Sequence, residues 1–534
     1  MNQRQYLLKG TFLLTAAGLL TRAAGFFYKI FLSRAIGAKE IGLFQLTMPV
    51  FGLCIAAACG GIQSAVSRFT AGYYARGDKK EAARTLLGAL LLSGTVSLLG
   101  ALFLYQNSFW ISEHFLLEKN CAAVLQILSF SLPFCAVHCC LNGFFIGRKA
   151  IIPSAVSQLL EQLVRILSVF LFYQASLQSG RTMDASVMAL GQLAGELASS
   201  LYCTCCLLYK CGERSGFNQR SFSAGPAAIA ASIRKLLPVS LPLGANRMLL
   251  CVLQGIEASM LPLQLRIFGL DSHKALTIYG TLTGMALPLI LFPTAITGSL
   301  GTLLLPAVSE AYALQEGKRI SSVADASLRG GLLLGSFCLS GFLLFGDAAG
   351  STLFHSTLAG IYIRRLALLC PFLYINTALS NILHGIGKST ASFLLNTASF
   401  AIRLCAVFLL VPASGIDGYL AGMIASQVFI TIGTLLLLRR SHSLTVSIAD
   451  AALGPLLLSL LSGSVIFALR TCIPFLRTET LPGLFFSVLL YCFLFALPAF
   501  FLMTNSVTGK KYGSGCRLLN KNHFDISKRP RNHR

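Results

Sequence analysis

Long apolar runs are the feature that most limits what this chain can fold into. Residues 11–32, 86–104 and 451–469 form runs of about twenty predominantly apolar residues, near the length that crosses a bilayer as a helix. Hydrophobic residues make up 55% of the 534 positions and charged residues 12%, about half the roughly 25% of soluble domains. A soluble protein of this composition could not cover its surface. The sequence therefore predicts an all-α, polytopic membrane protein and no enzyme.

The same pattern predicts about fourteen transmembrane helices. The predicted spans are residues 11–33, 42–66, 85–105, 121–145, 151–174, 185–208, 236–262, 275–304, 329–346, 360–384, 389–411, 416–438, 450–470 and 482–503. When the loops are assigned alternately to the two sides, most of the 43 Lys and Arg residues fall on the side of the termini. The positive-inside rule then predicts a multi-pass protein of the cell membrane with both termini in the cytoplasm.

The net charge and the cysteines have ordinary explanations in a membrane protein. The formal net charge of +24 is concentrated in short loops and in the C-terminal tail. There we expect contact with membrane lipids and not with nucleic acid. Most of the 17 cysteines fall within predicted spans, where cysteine acts as a small apolar residue. No cofactor motif or metal-ligand spacing is present, so we predict neither a cofactor nor a metal site.

The chain also carries an internal repeat. Residues 59–92 and 300–334 both leave a span through Ala-Val-Ser, cross a charged loop that contains glycine and re-enter the membrane. Residues 133–165 and 371–403 form a second pair, and both pairs are offset by about 240 positions. A repeat of six spans returns the chain to its starting side. The halves are therefore expected to share one orientation, related by an axis along the membrane normal.

The predicted organisation is two six-helix lobes in a parallel pseudo-twofold repeat, followed by two further helices. Its parts are an N-terminal lobe (1–210), a basic cytoplasmic linker (211–235), a C-terminal lobe (236–440), two extra transmembrane helices (441–505) and a basic, disordered cytoplasmic tail (506–534).

Ionisable side chains inside the spans are the candidate functional residues, because a charge in hydrocarbon costs several kcal/mol unless it is paired or hydrated. They are Arg22, Lys29, Glu161, Arg165, Glu196, Arg247, Glu257 and Arg403. Cations outnumber anions in this set, and guanidinium groups bind phosphate well. A cavity within the membrane-spanning part of the protein is therefore expected to bind an anion.

The set divides into two predicted roles. Four cations are predicted to bind the substrate: Arg22, Lys29, Arg247 and Arg403. Four groups are predicted to be structural or coupling charges: Glu161, Arg165, Glu196 and Glu257. Glu161 and Arg165 are four residues apart, so they are expected to pair on one helix. Arg403 corresponds to Arg165 in the repeat but has Ser399 four positions earlier, so it is expected to be unpaired and to face a cavity.

The first span carries a family resemblance. Residues 21–29 read TRAAGFFYK, residues 34–38 read RAIGA and residues 42–44 read GLF. These segments resemble the opening of the stage V sporulation protein B family of polysaccharide-biosynthesis membrane proteins. That family belongs to the multidrug/oligosaccharidyl-lipid/polysaccharide exporter superfamily. The likeness extends over roughly residues 5–505.

The resemblance implies two lobes around a V-shaped cavity, alternating access, and flipping of undecaprenyl-pyrophosphate-linked saccharides. Sporulation members are associated with spore-cortex peptidoglycan, and MurJ-type relatives with lipid II. Arg22 matches a functional cavity arginine of those relatives, and Lys29 stands at or beside a second. The arginines that the resemblance predicts near residues 54–58 and 281–283 are absent, and Arg247 is assigned in their place.

Three functions remain open from the sequence. The first is a flippase for an anionic lipid-linked saccharide, with a peptidoglycan precursor such as lipid II as the expected substrate and cell-wall synthases as further partners. The second is a drug/cation antiporter, which would have an acidic or aromatic cavity. The third is a non-transporting scaffold for cell-wall synthesis, which would have packed lobes and no hydrated cationic cavity.

Overall fold

The structure is a computed structural model that describes residues 3–180, 183–212, 225–441, 448–473 and 480–508. These residues are helical apart from short turns, and no strand occurs among them. The main helices are α1 (Gln3–Ala35), α2 (Ala38–Cys59), α3 (Ile62–Ala75), α4 (Lys79–Gln106), α5 (Cys121–Gly147), α6 (Ile151–Ser179), α7 (Ser186–Gly212), α8 (Pro226–Ile267), α9 (Ser272–Gly280), α10 (Leu287–Leu291), α11 (Thr294–Ala313), α12 (Gly317–Phe354), α13 (Thr357–Leu366), α14 (Cys370–Gly385), α15 (Ser389–Leu409), α16 (Ile416–Ser441), α17 (Ile448–Cys472) and α18 (Leu481–Thr508). Shorter helical turns are Ser108–Trp110, Ile111–Phe115, Thr281–Ala286, Ala367–Leu369 and Val411–Ser414.

The predicted all-α, polytopic fold is confirmed, and the count of fourteen spans is approximate. Within the described residues, 12 helical stretches are long and apolar enough to cross a membrane. The predicted first and sixth spans are helices, α1 and α7, but they are not among the 12. Both carry charged side chains within the predicted span, Arg22 and Lys29 in α1 and Glu196 in α7.

Helix α4 has large apolar side chains on its exposed face and small polar side chains among its buried positions. On α4, Leu98 and Leu99 are more than 60% exposed, whereas Ser93 and Ser97 are buried. In water this pattern would be unfavourable, but in a bilayer lipid covers the leucines and small residues let helices approach. The exposed surface of α4 is therefore the surface expected to contact lipid.

Glycines set the closest helix contacts. A Cβ atom on Gly61, which precedes α3, would lie 2.2 Å from the carbonyl oxygen of Ser240 on α8. A Cβ atom on Gly143 of α5 would lie 2.6 Å from the carbonyl oxygen of Gln63 on α3. Any larger residue would force these backbones apart.

Two buried apolar clusters reflect the repeat. The second cluster uses positions about 240 residues after those of the first. Three such pairs are Val66 with Val308, Leu86 with Leu328 and Leu141 with Leu379. A shared set of buried positions is not a superposition, so the predicted overlay of residues 11–208 on 236–438 stays a prediction.

The chain divides into two compact units. The first comprises Met1–Ser299, Gly346–Leu369 and Phe393–Ile430, and the second comprises Leu300–Phe345, Cys370–Ser392 and Thr431–Arg534. The predicted boundaries of the lobes remain predictions. Residues 213–224 of the predicted linker and 509–534 of the predicted tail lie outside the described residues.

Candidate functional site

A cavity of about 270 Å³ lies in the first unit among helices α1, α2, α6 and α7. Lys29 and Arg165 supply its positive charges, and the apolar part of the wall includes Leu32 and Ile41. The other polar lining residues are Tyr28, Gln45, Gln162 and Gln192. Amide groups can both donate and accept hydrogen bonds, and the cations only donate. A polar anion is therefore the ligand that this lining would stabilise best.

Lys29 lines the cavity one helical turn after Gly25, which lines it as well. Gly25 faces Gln162, and a Cβ atom there would lie 3.6 Å from the Gln162 amide nitrogen. Within the part of the chain that the structure describes, no carboxylate oxygen lies within 4.0 Å of the Lys29 ammonium. The predicted cation at position 29 thus faces a cavity without a neutralising side chain close by.

Arg165 is shared between the cavity and a neighbouring acidic group. Its Nη2 donates a hydrogen bond to Glu161 Oε1, and its Nη1 donates to Gln162 Oε1 at 3.3 Å. The predicted pairing of Glu161 with a basic group is confirmed by this contact. Arg165 Nε is buried and has no acceptor among the described residues. The Nε–H group is therefore a donor that a ligand could use.

His138 on α5 joins Glu161, which is partly buried, to the buried carboxylate of Glu196. His138 Nδ1 lies 3.8 Å from Glu161 Oε2 and 3.5 Å from Glu196 Oε2. Ser157 Oγ and Ser199 Oγ each lie 3.2 Å from a ring nitrogen of His138. We call His138, Glu161 and Glu196 the buried triad. One ring nitrogen of His138 and one carboxylate oxygen from each glutamate lie within 4.8 Å of one another. Because Glu161 already pairs with Arg165, a side-chain cation neutralises part of the triad's negative charge.

Close helix packing assembles the buried triad. Gly195 directly precedes Glu196 on α7, and a Cβ atom on Gly195 would lie 2.7 Å from the carbonyl oxygen of Glu161 on α6. The small residue lets α7 approach α6, and this brings the two carboxylates together. Gln192 then donates to Glu196 Oε1 at 3.2 Å. Arg165 and Gln192 therefore both line the cavity and bind a carboxylate of the buried triad.

Arg403 has a partner that the sequence did not predict. Its Nη2 lies 2.6 Å from Glu257 Oε2, and Tyr419 Oη donates to Glu257 Oε1 at 2.8 Å. The guanidinium also lies over the Phe400 ring, 4.2 Å from its centroid. The expectation that Arg403 is unpaired is therefore wrong. Its counter-ion comes from α8 and not from its own helix, so residue spacing could not reveal it.

Arg22 and Arg247 lie outside the cavity lining. Arg22 is exposed on α1, two turns before Lys29, and Arg247 is exposed on α8. The cavity thus combines Lys29, a predicted binding residue, with Arg165, a predicted structural charge. The substrate-binding roles of Arg22, Lys29, Arg247 and Arg403 stay predictions.

Five polar residues of the lining or the triad are not among the predicted site residues: Tyr28, Gln45, Gln162, Gln192 and His138. A histidine inside an apolar span is a signal that could have identified His138, because ionisable groups at membrane depth are rare. The glutamines give no comparable signal, since uncharged amides are common at helix contacts.

Comparisons with known proteins agree with this architecture. Residues 7–312 match the polysaccharide biosynthesis protein family. Stage V sporulation protein B of Bacillus subtilis (strain 168) is 29% identical over 432 residues, which cover 80% of this chain and 83% of that protein. Lipid II flippase MurJ of the same organism is 30% identical over 169 residues, which cover 30% of this chain and 31% of that protein.

Solved structures share the fold. The inward closed conformation of lipid II flippase MurJ matches with a TM-score of 0.69 at 15% identity, covering 93% of this chain and all of that one. An inward-facing multidrug resistance MATE family transporter of the MOP superfamily matches with a TM-score of 0.61 at 15% identity, covering 82% and 95%. The chain therefore belongs to the polysaccharide biosynthesis protein family, and its fold is the polytopic helical fold that MurJ and the MATE transporters share.

Proposed function

We propose that this protein is a flippase that moves an undecaprenyl-pyrophosphate-linked saccharide across the cell membrane by alternating access. The expected cargo is a peptidoglycan precursor such as lipid II, with the spore cortex as its destination. We place both termini in the cytoplasm. In this role the protein is a transporter and not an enzyme.

The observation that carries the proposal is the cationic cavity between α1, α2, α6 and α7. Lys29 and Arg165 line it together with three glutamine side chains. A lysine at membrane depth is unfavourable by about 2.5–3.5 kcal/mol even on the lenient insertion scale, so a site that keeps one is expected to meet water or an anion. A pyrophosphate diester supplies that anion, and the similarity to stage V sporulation protein B and MurJ supports a lipid-linked saccharide as its carrier.

The composition of the cavity favours this function over the alternatives. A cationic drug would meet two positive side chains at the wall, whereas an antiporter for such drugs is expected to present carboxylates there. A packed, non-transporting scaffold is not expected to contain a cavity lined by charged groups.

The proposal is tested at Lys29. In cells that depend on this protein, Lys29→Gln is expected to slow flipping by tenfold or more, because a charge-assisted hydrogen bond to phosphate contributes roughly 1.5–3 kcal/mol. Lys29→Arg is expected to retain more activity, because it keeps the charge. Precursor accumulation is measured by mass spectrometry of extracted lipids, alongside the amount of each variant in the membrane.

Lys274→Gln is the matched control, since its side chain is 69% exposed and lies outside the cavity lining. Native mass spectrometry of the detergent-extracted protein then asks whether a pyrophosphate-linked lipid copurifies with the wild type and is lost from Lys29→Gln. Normal precursor levels in cells with well-expressed Lys29→Gln would refute the cationic-cavity mechanism and favour the antiporter.

A further inference from the structure

Arg165 belongs to the cavity and to the buried triad at once. Its guanidinium pairs with Glu161 and lines the cavity beside Lys29. Glu161 in turn lies beside His138, which lies 3.5 Å from Glu196. A ligand that binds Arg165 therefore competes with the triad for the same cation.

The charges of the buried triad depend on that cation. Glu161 and Glu196 would carry two negative charges if both were ionised, and Arg165 supplies one positive charge. Glu196 and His138 are buried, so solvent does not screen their charges effectively. Two carboxylates close together cannot both remain ionised without a nearby cation or proton. If an anion accepts the hydrogen bonds of Arg165, Glu161 loses its counter-ion. A proton is the simplest replacement for that positive charge.

The helices around the triad contribute few other charges. The charged and titratable groups that face it are Tyr28 and Lys29 on α1, Cys59 on α2, Cys135 and His138 on α5, Glu161 and Arg165 on α6, and Glu196 on α7, with Arg247 of α8 near Cys59. Unperturbed cysteine thiols and tyrosine phenols are largely neutral near pH 7. The proton balance therefore falls to His138, Glu161 and Glu196.

We propose that anion binding in the cavity is linked to uptake of one proton by the buried triad, with Arg165 as the shared group. The inference rests on the proposed function, because it takes the anion to be the pyrophosphate diester of the cargo. Arg165 turns from Glu161 toward the anion, using the Nε donor that has no acceptor among the described residues. One proton from bulk water then binds to His138, Glu161 or Glu196 and replaces the positive charge of Arg165.

Linkage fixes the direction of the pH effect. If binding takes up a proton, lower pH favours binding, and each unit of pH above the triad's titration range weakens binding by up to about tenfold. A neutral glutamine at position 161 cannot hold the guanidinium as a carboxylate does. Glu161→Gln is therefore expected to bind the anion independently of pH and, at high pH, on the order of tenfold more tightly than the wild type.

The test uses the full-length protein in nanodiscs and farnesyl-pyrophosphoryl-N-acetylglucosamine as the probe. Both phosphates of this compound are esterified, so it does not itself titrate near neutral pH. Isothermal titration calorimetry in PIPES and in imidazole buffer at one pH gives the protons taken up per bound probe. The wild type is expected to take up a proton, up to one per site. Glu161→Gln and Glu196→Gln are expected to bind the probe with little or no uptake.

Glu113→Gln is the matched control, because Glu113 pairs with Lys119 outside the membrane spans and should leave the uptake unchanged. Binding by the wild type without proton uptake would overturn the linkage and leave the proposed function intact. Proton uptake that is the same in the wild type, Glu161→Gln and Glu196→Gln would also overturn the linkage and leave the proposed function intact. A wild type that fails to bind the probe would overturn the proposed function itself.

Discussion

Replacing Arg403 with methionine separates an internal counter-ion from a substrate-binding residue. Glu257 is 8% exposed and accepts hydrogen bonds from Arg403 at 2.6 Å and from Tyr419 at 2.8 Å. Removing one partner of such a buried pair typically destabilises by about 3–5 kcal/mol. The remaining Tyr419 bond offsets about 1 kcal/mol of this. We therefore expect Arg403→Met to destabilise the folded protein by about 2–4 kcal/mol.

The assay heats detergent-solubilised protein and follows the folded fraction by size-exclusion chromatography. Arg403→Met, Glu257→Gln and the double variant form a mutant cycle. The double variant is expected to recover most of the loss, because it leaves no uncompensated charge. Arg365→Met is the control: Arg365 pairs with Asp417 at an exposed site, where an ion pair contributes less than about 1 kcal/mol.

The opposite pattern would refute this reasoning. If Arg403→Met is as stable as the wild type but fails to flip its cargo, Arg403 acts on the substrate and Glu257 is not its essential partner.

Two further predictions concern packing. Gly61→Val is expected to reduce the amount of folded protein strongly, because a side chain there would collide with the backbone of Ser240. Gly72→Val is the control and should be tolerated, because a side chain at position 72 has open space. The membrane level and the chromatographic profile of each variant are measured. Tyr491→Phe removes the hydrogen bond from Tyr491 Oη to the carbonyl oxygen of Phe337 and the hydrogen bond between Tyr491 Oη and Ser340 Oγ. It should lower the free energy of unfolding by about 1–2 kcal/mol, and an unchanged melting temperature would contradict this.

The helical architecture could be predicted because the membrane makes composition informative. In hydrocarbon every backbone group must be paired within the chain, so a long apolar run becomes a helix. The Glu161–Arg165 contact could be predicted equally well, because residues four apart on a helix lie on one face. These features depend on distances along one helix, and the sequence states those distances directly.

The contacts between helices could not be predicted in the same way. Arg403 and Glu257 are 146 positions apart, and nothing in their spacing marks them as partners. Glu196 lies near Glu161 because Gly195 lets α7 approach α6. Such approaches depend on how helices turn toward one another, which residue periodicity does not define for helices with apolar residues on all sides.

The two arginines that correspond in the repeat, Arg165 and Arg403, now have different surroundings. Arg165 pairs with a glutamate of its own helix, has an Nε donor without an acceptor among the described residues, and faces a cavity beside Lys29. Arg403 pairs with Glu257 of another helix, and Tyr419 supports that carboxylate. An arginine held within one helix can exchange its carboxylate for a ligand without separating two helices. An arginine that joins two helices cannot. The position in the first half is therefore suited to binding, whereas its counterpart in the second half is suited to linking α8 to α15 through an ion pair.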